Sequence, residues 1–154
     1  MTETASPPLF ERHAPRRHVA LALLSARDEV LLVRQTHQTR YRLLETPVER
    51  DANDEVLMQV VAALQTTLLA EGTPLTDSAW LGRFAAPDGE GRLDMLEVYV
   101  ARLGQARLRR DADREMAWAP LSSPPPESMI EPAIALQVMP ALTQLIDPQA
   151  NTSY

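Results

Sequence analysis

The chain has 154 residues, 45% of them apolar and 23% charged, which suits one domain with a substantial core. Its net charge of −6, with no basic run longer than Arg16-Arg17 or Arg109-Arg110, argues against a nucleic-acid surface, which needs a basic face. The absence of cysteine excludes disulfides, thiol catalysis and cysteine-based zinc sites.

The N-terminal stretch MTETASPPLFERHAPRR has no apolar segment of the secretory kind. No run approaches the ~20 apolar residues of a membrane helix, so a cytoplasmic location is the expectation. Every basic side chain is arginine, a composition consistent with a bacterial source. Residues 1–16 carry Pro7, Pro8 and Pro15 among polar residues and read as a flexible tail, with Phe10 as its one anchor. His18 to Ala26 and Glu29 to Gln35 are apolar runs joined at Arg27-Asp28, the pattern of a hairpin. Arg34 ends the second run, and Arg40 and Arg42 follow.

Leu43, Leu44 and Glu45 close the next apolar run, and Pro47 turns the chain. Asp51, Asn53 and Asp54 offer N-cap oxygens, and Glu55 adds negative charge where a helix dipole favours it. The spacing of Val56, Leu57, Val60, Val61, Leu64 and Leu68 predicts a helix from about Glu55 to Ala70, stopped by Gly72 and Pro74. Met58, Ala62 and Leu69 cover much of the remaining surface, so this helix is expected to be buried on most sides. Thr76 to Ala86 and Leu93 to Leu103 read as antiparallel strands around a turn at Pro87-Asp88-Gly89. Glu97, inside the second, is expected to face solvent or pair with an arginine. Trp80 and Tyr99 could stack on a base, although core or dimer packing is the plainer account. Arg107 to Arg114 reads as a mobile charged loop running into Glu115. After the stiff Ser122 to Pro126 segment, Glu131 to Ile146 reads as a final helix with Ile134, Val138, Ala141, Leu142 and Leu145 on its apolar face. Pro140 should kink or divide it. The chain is expected to loosen from Asp147, leaving 17–146 as the domain and 147–154 as a tail.

Several chemistries lack their residues. His13, His18 and His37 are scattered without metal-ligand spacing, five glycines supply no phosphate loop, and no serine sits in a nucleophile elbow. What remains is a likeness. VALALLSARDEVLLVRQ (Val19 to Gln35), YRLLETP (Tyr41 to Pro47) and EMAWAPL (Glu115 to Leu121) resemble, in order and spacing, the Nudix hydrolases, in particular the ADP-ribose or ADP-sugar pyrophosphatase branch. The resemblance spans roughly residues 17 to 145. It implies an α/β/α sandwich with a mixed sheet between helices. Periodicity alone supports α/β or α+β with about six strands and two main helices.

The same resemblance exposes a departure. Nudix enzymes carry an Arg-Glu-apolar-x-Glu-Glu-x-Gly helix segment whose glutamates hold Mg²⁺ against a pyrophosphate, and magnesium needs hard oxygen ligands. Anchored on Glu45 and Pro47, the pattern's Gly falls on Glu49 and its first Glu on Glu55, but the Arg-Glu pair becomes Ala63 and Leu64 and the Glu-Glu pair Thr67 and Leu68. Anchored on Glu71-Gly72, those pairs become Gln65 and Thr66, then Leu69 and Ala70. Both registers leave the metal positions without a carboxylate, so no metal ligands are assigned.

Three functional readings follow. The first is a Nudix-like domain that has lost hydrolysis and binds a nucleotide-like small molecule or acts as an interaction module, with no cofactor. Arg34, Arg42 and Glu45 are its candidate ligand-binding residues, since guanidinium donors match phosphate oxygens in pairs. The plainer account of these arginines is surface charge paired with Glu45 or Glu49. The second is an active pyrophosphatase using relocated carboxylates, for example Glu45, Glu49, Glu55 and Glu115, with Mg²⁺. In it Glu55 and Glu115 are the candidate catalytic residues, because the resembled branch places an acidic residue in the loop before its last strand. The third is a homodimeric domain with no small ligand. The resembled branch makes a homodimer the expected assembly in each case, with no nucleic-acid or membrane partner.

Overall fold

The computed structural model describes residues 16–87 and 92–147. Its elements are β1 (Arg16–Leu24), β2 (Glu29–Gln35), β3 (Leu44–Val48), α1 (Asp54–Leu68), β4 (Ser78–Pro87), β5 (Leu93–Arg102), β6 (Arg114–Pro120) and α2 (Met139–Ile146). Residues 1–15 and 148–154, most of the two expected tails, lie outside the described residues, as does most of the expected turn at Pro87-Asp88-Gly89. Arg16 belongs to β1 rather than to the tail.

β1 is the centre of a six-stranded mixed sheet of order β4-β5-β1-β2-β6. It runs parallel to β5 and antiparallel to β2 and β3, which share its other edge. Its run Val19–Leu24 is buried on both faces. Ala20, Ala22 and Leu24 join one core with Ile134, Val138 and Leu142; Val19, Leu21 and Leu23 join a second with Leu57, Val61 and Leu68. A strand covered on both sides reads as a continuous apolar run, as here. Each fully buried leucine contributes on the order of 2 kcal/mol. The layers are therefore helix, sheet, helix. Among the described residues no helix is long and apolar enough to cross a membrane.

The hairpin turns where expected. Ser25 Oγ accepts from the amides of Arg27 and Glu29, and Asp28 takes the left-handed conformation (φ 56°), which aspartate tolerates better than most residues. Helix α1 starts at one of its three candidate caps: Asn53 Oδ1 accepts from the Val56 amide at 2.9 Å. Two expectations for α1 fail. It is buried on one face only, through Leu57, Val61, Leu64, Gln65 and Leu68. Val56 and Met58 remain 40% and 44% exposed, because the sheet flanks a single side of the helix. The helix also ends at Leu68, ahead of Ala70. Leu69 is extended and bridges Leu108, while Arg109 N donates to Leu68 O and Ala70 N to Arg107 O. The segment expected to be a loose charged loop thus straps the helix end, and these bonds draw the backbone out of the helix before Gly72 is reached.

The C-terminal helix responds to Pro140 as a proline without an N–H must. Residues Ile134–Val138 form a π-helical turn in which Met139 N bonds to Ile134 O, and α2 continues from Met139. The extra residue in that turn rotates the apolar face. Met139 and Ala133 are buried, whereas Leu145, expected in the core, is 54% exposed.

Candidate functional site

The starts of β1 and β5 and the antiparallel β3 beside β1 meet at one end of the sheet, on its α2 face. Register places Arg16 opposite Asp94 and Ala20 opposite Glu45, and His18 falls between them on the same face. These strand ends are where the apolar alternation of the core gives way to polar side chains. Around them lies a cleft of about 630 Å³, within the usual range for small-molecule sites. Arg16, His18, Glu45 and Asp94 line its sheet wall; Arg40, Arg42 and Glu131 come from the loops; Leu96, Ala133 and Ile134 supply apolar surface. Gln137 Nε2 donates to Ala85 O at 2.7 Å and ties the C-terminal helix to the far rim.

The charges alternate along the cleft. Arg16 Nε lies 3.1 Å from Asp94 Oδ1, and Asp94 Oδ2 lies 3.6 Å from His18 Nε2. His18 Nδ1 is 3.9 Å from Glu45 Oε1, the same oxygen that stands 3.7 Å from Arg42 Nη1. Arg42 Nη2 then bonds Glu131 Oε1 at 2.9 Å. Glu131 is held there by its own amide, which donates to Tyr41 O. Neither ring nitrogen of His18 has a hydrogen-bond partner, and both are buried. Burial raises the Glu45 pKa above the usual carboxylate range, with His18 and Arg42 pulling the other way. Arg40 faces the cleft and, among the described residues, forms no ion pair or hydrogen bond.

Of the residues singled out from sequence, Arg42 and Glu45 lie in this cleft. Arg34 and Glu115 do not. They pair with each other across the β2–β6 ladder, where they are directly opposite. The Arg34 guanidinium also sits 4.7 Å from the Tyr41 ring centroid, and Tyr41 Oη donates to Glu115 at 3.3 Å. Glu115 stands in the last strand, as the likeness of Glu115 to Leu121 to that strand implied, and the ladder reaches one residue further back, to Arg114 opposite Gln35. The hydrogen bond from Arg34 holds the Glu115 carboxyl below its ordinary pKa, which makes it a weak base. Glu55 is exposed in the first turn of α1, and Glu49 is exposed in the preceding loop. The relocated set Glu45, Glu49, Glu55 and Glu115 does not converge: among the described residues no group of three or more His, Asp or Glu stands where it could hold a metal ion.

The α1 positions to which the Nudix pattern assigns metal glutamates fit magnesium poorly. Leu64 and Leu68 are 6% and 1% exposed, with Leu103, Ala106 and Leu108 packed against their cluster. The Thr67 hydroxyl donates to Ala63 O. In the other register, Gln65 is buried with its Oε1 accepting from the Thr76 amide, and Leu69 is 3% exposed. Hydrocarbon offers a divalent cation none of the hard oxygens it needs.

Sequence reasoning passed over His18, Asp94 and Glu131. The available signal was weak: polar residues at alternate positions of strand starts, Arg16 with His18 and Asp94 two before Leu96. On the α1 face, Glu97 is 3% exposed, paired with Arg83 and, at 3.6 Å, with Arg17. The expected arginine pairing holds, and the solvent-facing alternative does not. Tyr99 is buried, whereas Trp80, opposite it on edge strand β4, is 57% exposed.

No protein-family model matches the chain, and no curated protein matches it significantly in sequence. Solved structures do. The NUDIX domain of Shewanella oneidensis NrtR, complexed with ADP ribose, aligns with TM-score 0.61 at 16% identity, over 95% of this chain and 99% of that one. The E. coli ORF135 protein aligns with TM-score 0.59 at 15% identity, over 96% and 99%. A MutT NUDIX hydrolase from Burkholderia pseudomallei aligns with TM-score 0.58 at 21% identity, over 85% and 98%. The fold is that of the Nudix hydrolases.

Proposed function

We infer that this Nudix-fold chain binds a nucleoside diphosphate-like ligand in the cleft around His18, Arg40 and Arg42, and does so without metal-dependent hydrolysis. The observation that carries the second half is the packing of Leu64 and Leu68. Residues that would have to carry carboxylates instead form the core under α1. Phosphoryl chemistry depends on electrostatic compensation of the pyrophosphate, and an apolar helix face supplies none. The first half rests on the cleft. Arg40 and Arg42 offer guanidinium donors to phosphate, Asp94, Glu45 and Glu131 offer acceptors to sugar hydroxyls, and Leu96 and Ile134 offer an apolar wall to a base. The ADP ribose bound to the structurally similar NrtR domain supports this ligand class. The assembly proposed is a homodimer, to be read by light scattering.

The test is thermal unfolding with ADP-ribose, with Mg²⁺ and with EDTA. A ligand that binds the native state raises the melting temperature by mass action. The expected result is the same rise in both conditions, reduced in Arg40→Ala. Mg²⁺-dependent release of AMP would overturn the reading in favour of a hydrolase. No shift under either condition would leave an interaction module.

A further inference from the structure

The outer face of α1 is left to solvent, and its composition is unusual for that place. From Val56 to Ala70 no residue is charged, whereas a surface helix ordinarily turns charged side chains to water. Leu57, Val61, Leu64 and Leu68 are buried, so helical spacing puts Val56, Gln59, Ala63 and Thr66 on the opposite side. Gln59, Ala63 and Thr66 are exposed, as is Val56. The Thr66 and Thr67 hydroxyls donate to the carbonyls of Ala62 and Ala63. They are spent on their own helix and leave methyl groups for a neighbour. The stripe is therefore smooth and mostly apolar. Ala62 and Ala63 lie at its middle, where small side chains let a second helix approach closely.

The two ends of this helix carry opposite charges. Asp51, Asp54 and Glu55 are exposed around its first turn. At the other end the strap bonded to Leu68 and Ala70 brings Arg107, Arg109 and Arg110. Arg107 and Arg110 are exposed, and among the described residues their side chains form no ion pair or hydrogen bond. The helix spans about 22 Å at 1.5 Å per residue, more than two screening lengths in physiological salt, so the two groups do not neutralise each other within one chain. A second copy laid antiparallel does neutralise them. Each acidic first turn then meets the other copy's arginines, and the helix dipoles oppose as well. A parallel copy would set like charges together.

We propose that the outer face of α1 is a two-fold interface with a second copy of this chain, its axis at Ala62 and Ala63, with Glu55 beside the partner's Arg110. Around that axis Gln59 falls opposite the partner's Thr66. Such a contact is self-complementary and closes on itself as a dimer. The proposal rests on the homodimer stated above and names its surface. The ligand cleft, on the other face of the sheet, stays open.

The experiment is sedimentation of the full chain over a range of concentrations, at low and high salt. A dimer is expected, weaker at high salt because the charge pairs at its rim are screened. Ala63→Arg should abolish it by setting two like charges on the axis. The position is exposed and arginine is a good helix former, so circular dichroism should show the fold unchanged. Glu55→Arg and Arg110→Glu should each weaken the dimer by about tenfold, since the two-fold axis doubles every change at a surface pair. The double variant Glu55→Arg/Arg110→Glu should recover most of that loss, which poor folding cannot mimic. The chain has no cysteine, so Ala63→Cys gives a separate reading. It should join two copies by a disulfide under mild oxidation, whereas His37→Cys, exposed but off this face, should not. A dimer indifferent to Ala63→Arg, or a double variant no tighter than the single ones, overturns this interface and leaves the homodimer standing. A monomer at every concentration overturns both and gives the face to a different protein. Neither result touches the ligand reading of the cleft.

Discussion

Two charged clusters sit at the same end of the sheet, on opposite faces, and they differ in what covers them. On the α1 face, Glu97 lies between Arg83 and Arg17, and Arg17 Nη1 also donates to the carbonyls of Ala52, at 2.8 Å, and Arg50. That cluster is closed. Its carboxylate is 3% exposed, and its hydrogen bonds tether the loop that leads into the α1 cap. On the α2 face, the cluster around His18 is open to a cleft, and its contacts to the imidazole are 3.6 and 3.9 Å, too long for hydrogen bonds. Arginine and carboxylate supply both. The closed cluster has spent its donors on the backbone, so it acts as structure. The open one keeps donors near a cavity, so it can act on a ligand.

The comparison breaks first at Glu97. Glu97→Ala leaves Arg17 buried beside the α1 loop without its anion, and removing one partner of a buried pair costs about 3 kcal/mol. Urea unfolding should show that loss, and a cost under about 1 kcal/mol, the level of surface pairs, would mean the cluster is no tether. Glu45→Gln tests the open cluster and should have a smaller effect of opposite sign. A carboxyl with a raised native pKa stabilises the fold below its ordinary pKa, and that contribution is lost as pH rises through the raised value. The Gln variant has no such loss. Its melting temperature relative to the unaltered protein should therefore climb as pH increases from about 4.5 toward neutrality. A difference that stays constant would show that His18 and Arg42 fully offset the burial of Glu45. Glu115→Gln should matter least. Its pair with Arg34 is exposed and away from the cleft, so ADP-ribose affinity in calorimetry should not change. A loss of affinity there would join the two polar groups of this face into one site.

Much of the architecture was legible locally. The Arg27-Asp28 turn, the cap at one of Asp51, Asn53 and Asp54, and the effect of Pro140 each follow from a few consecutive residues and were placed correctly. The end of α1 was not, because the bonds that end it come from residues 107–109. Nor was its exposure, since an all-round apolar helix does not say how many sides the rest of the chain will cover. Within the site, Arg42 and Glu45 were identifiable from the resemblance. His18 and Asp94 looked like ordinary strand-end polar residues.

What the sequence determined by itself is the class of fold, because strand and helix periodicities, caps and turns are short-range. Through the resemblance, it also implies leucine, alanine and threonine at the helix positions where the Nudix pattern has its metal glutamates. Only the tertiary structure decided which charges meet. Arg16, Glu45, Asp94 and Glu131 come together because β1 pairs with β3 on one edge and β5 on the other, while the Tyr41 backbone holds the approach to the last helix. Such register is a property of the packed sheet. No local pattern records that one histidine will stand between two carboxylates contributed by strands so far apart in the chain.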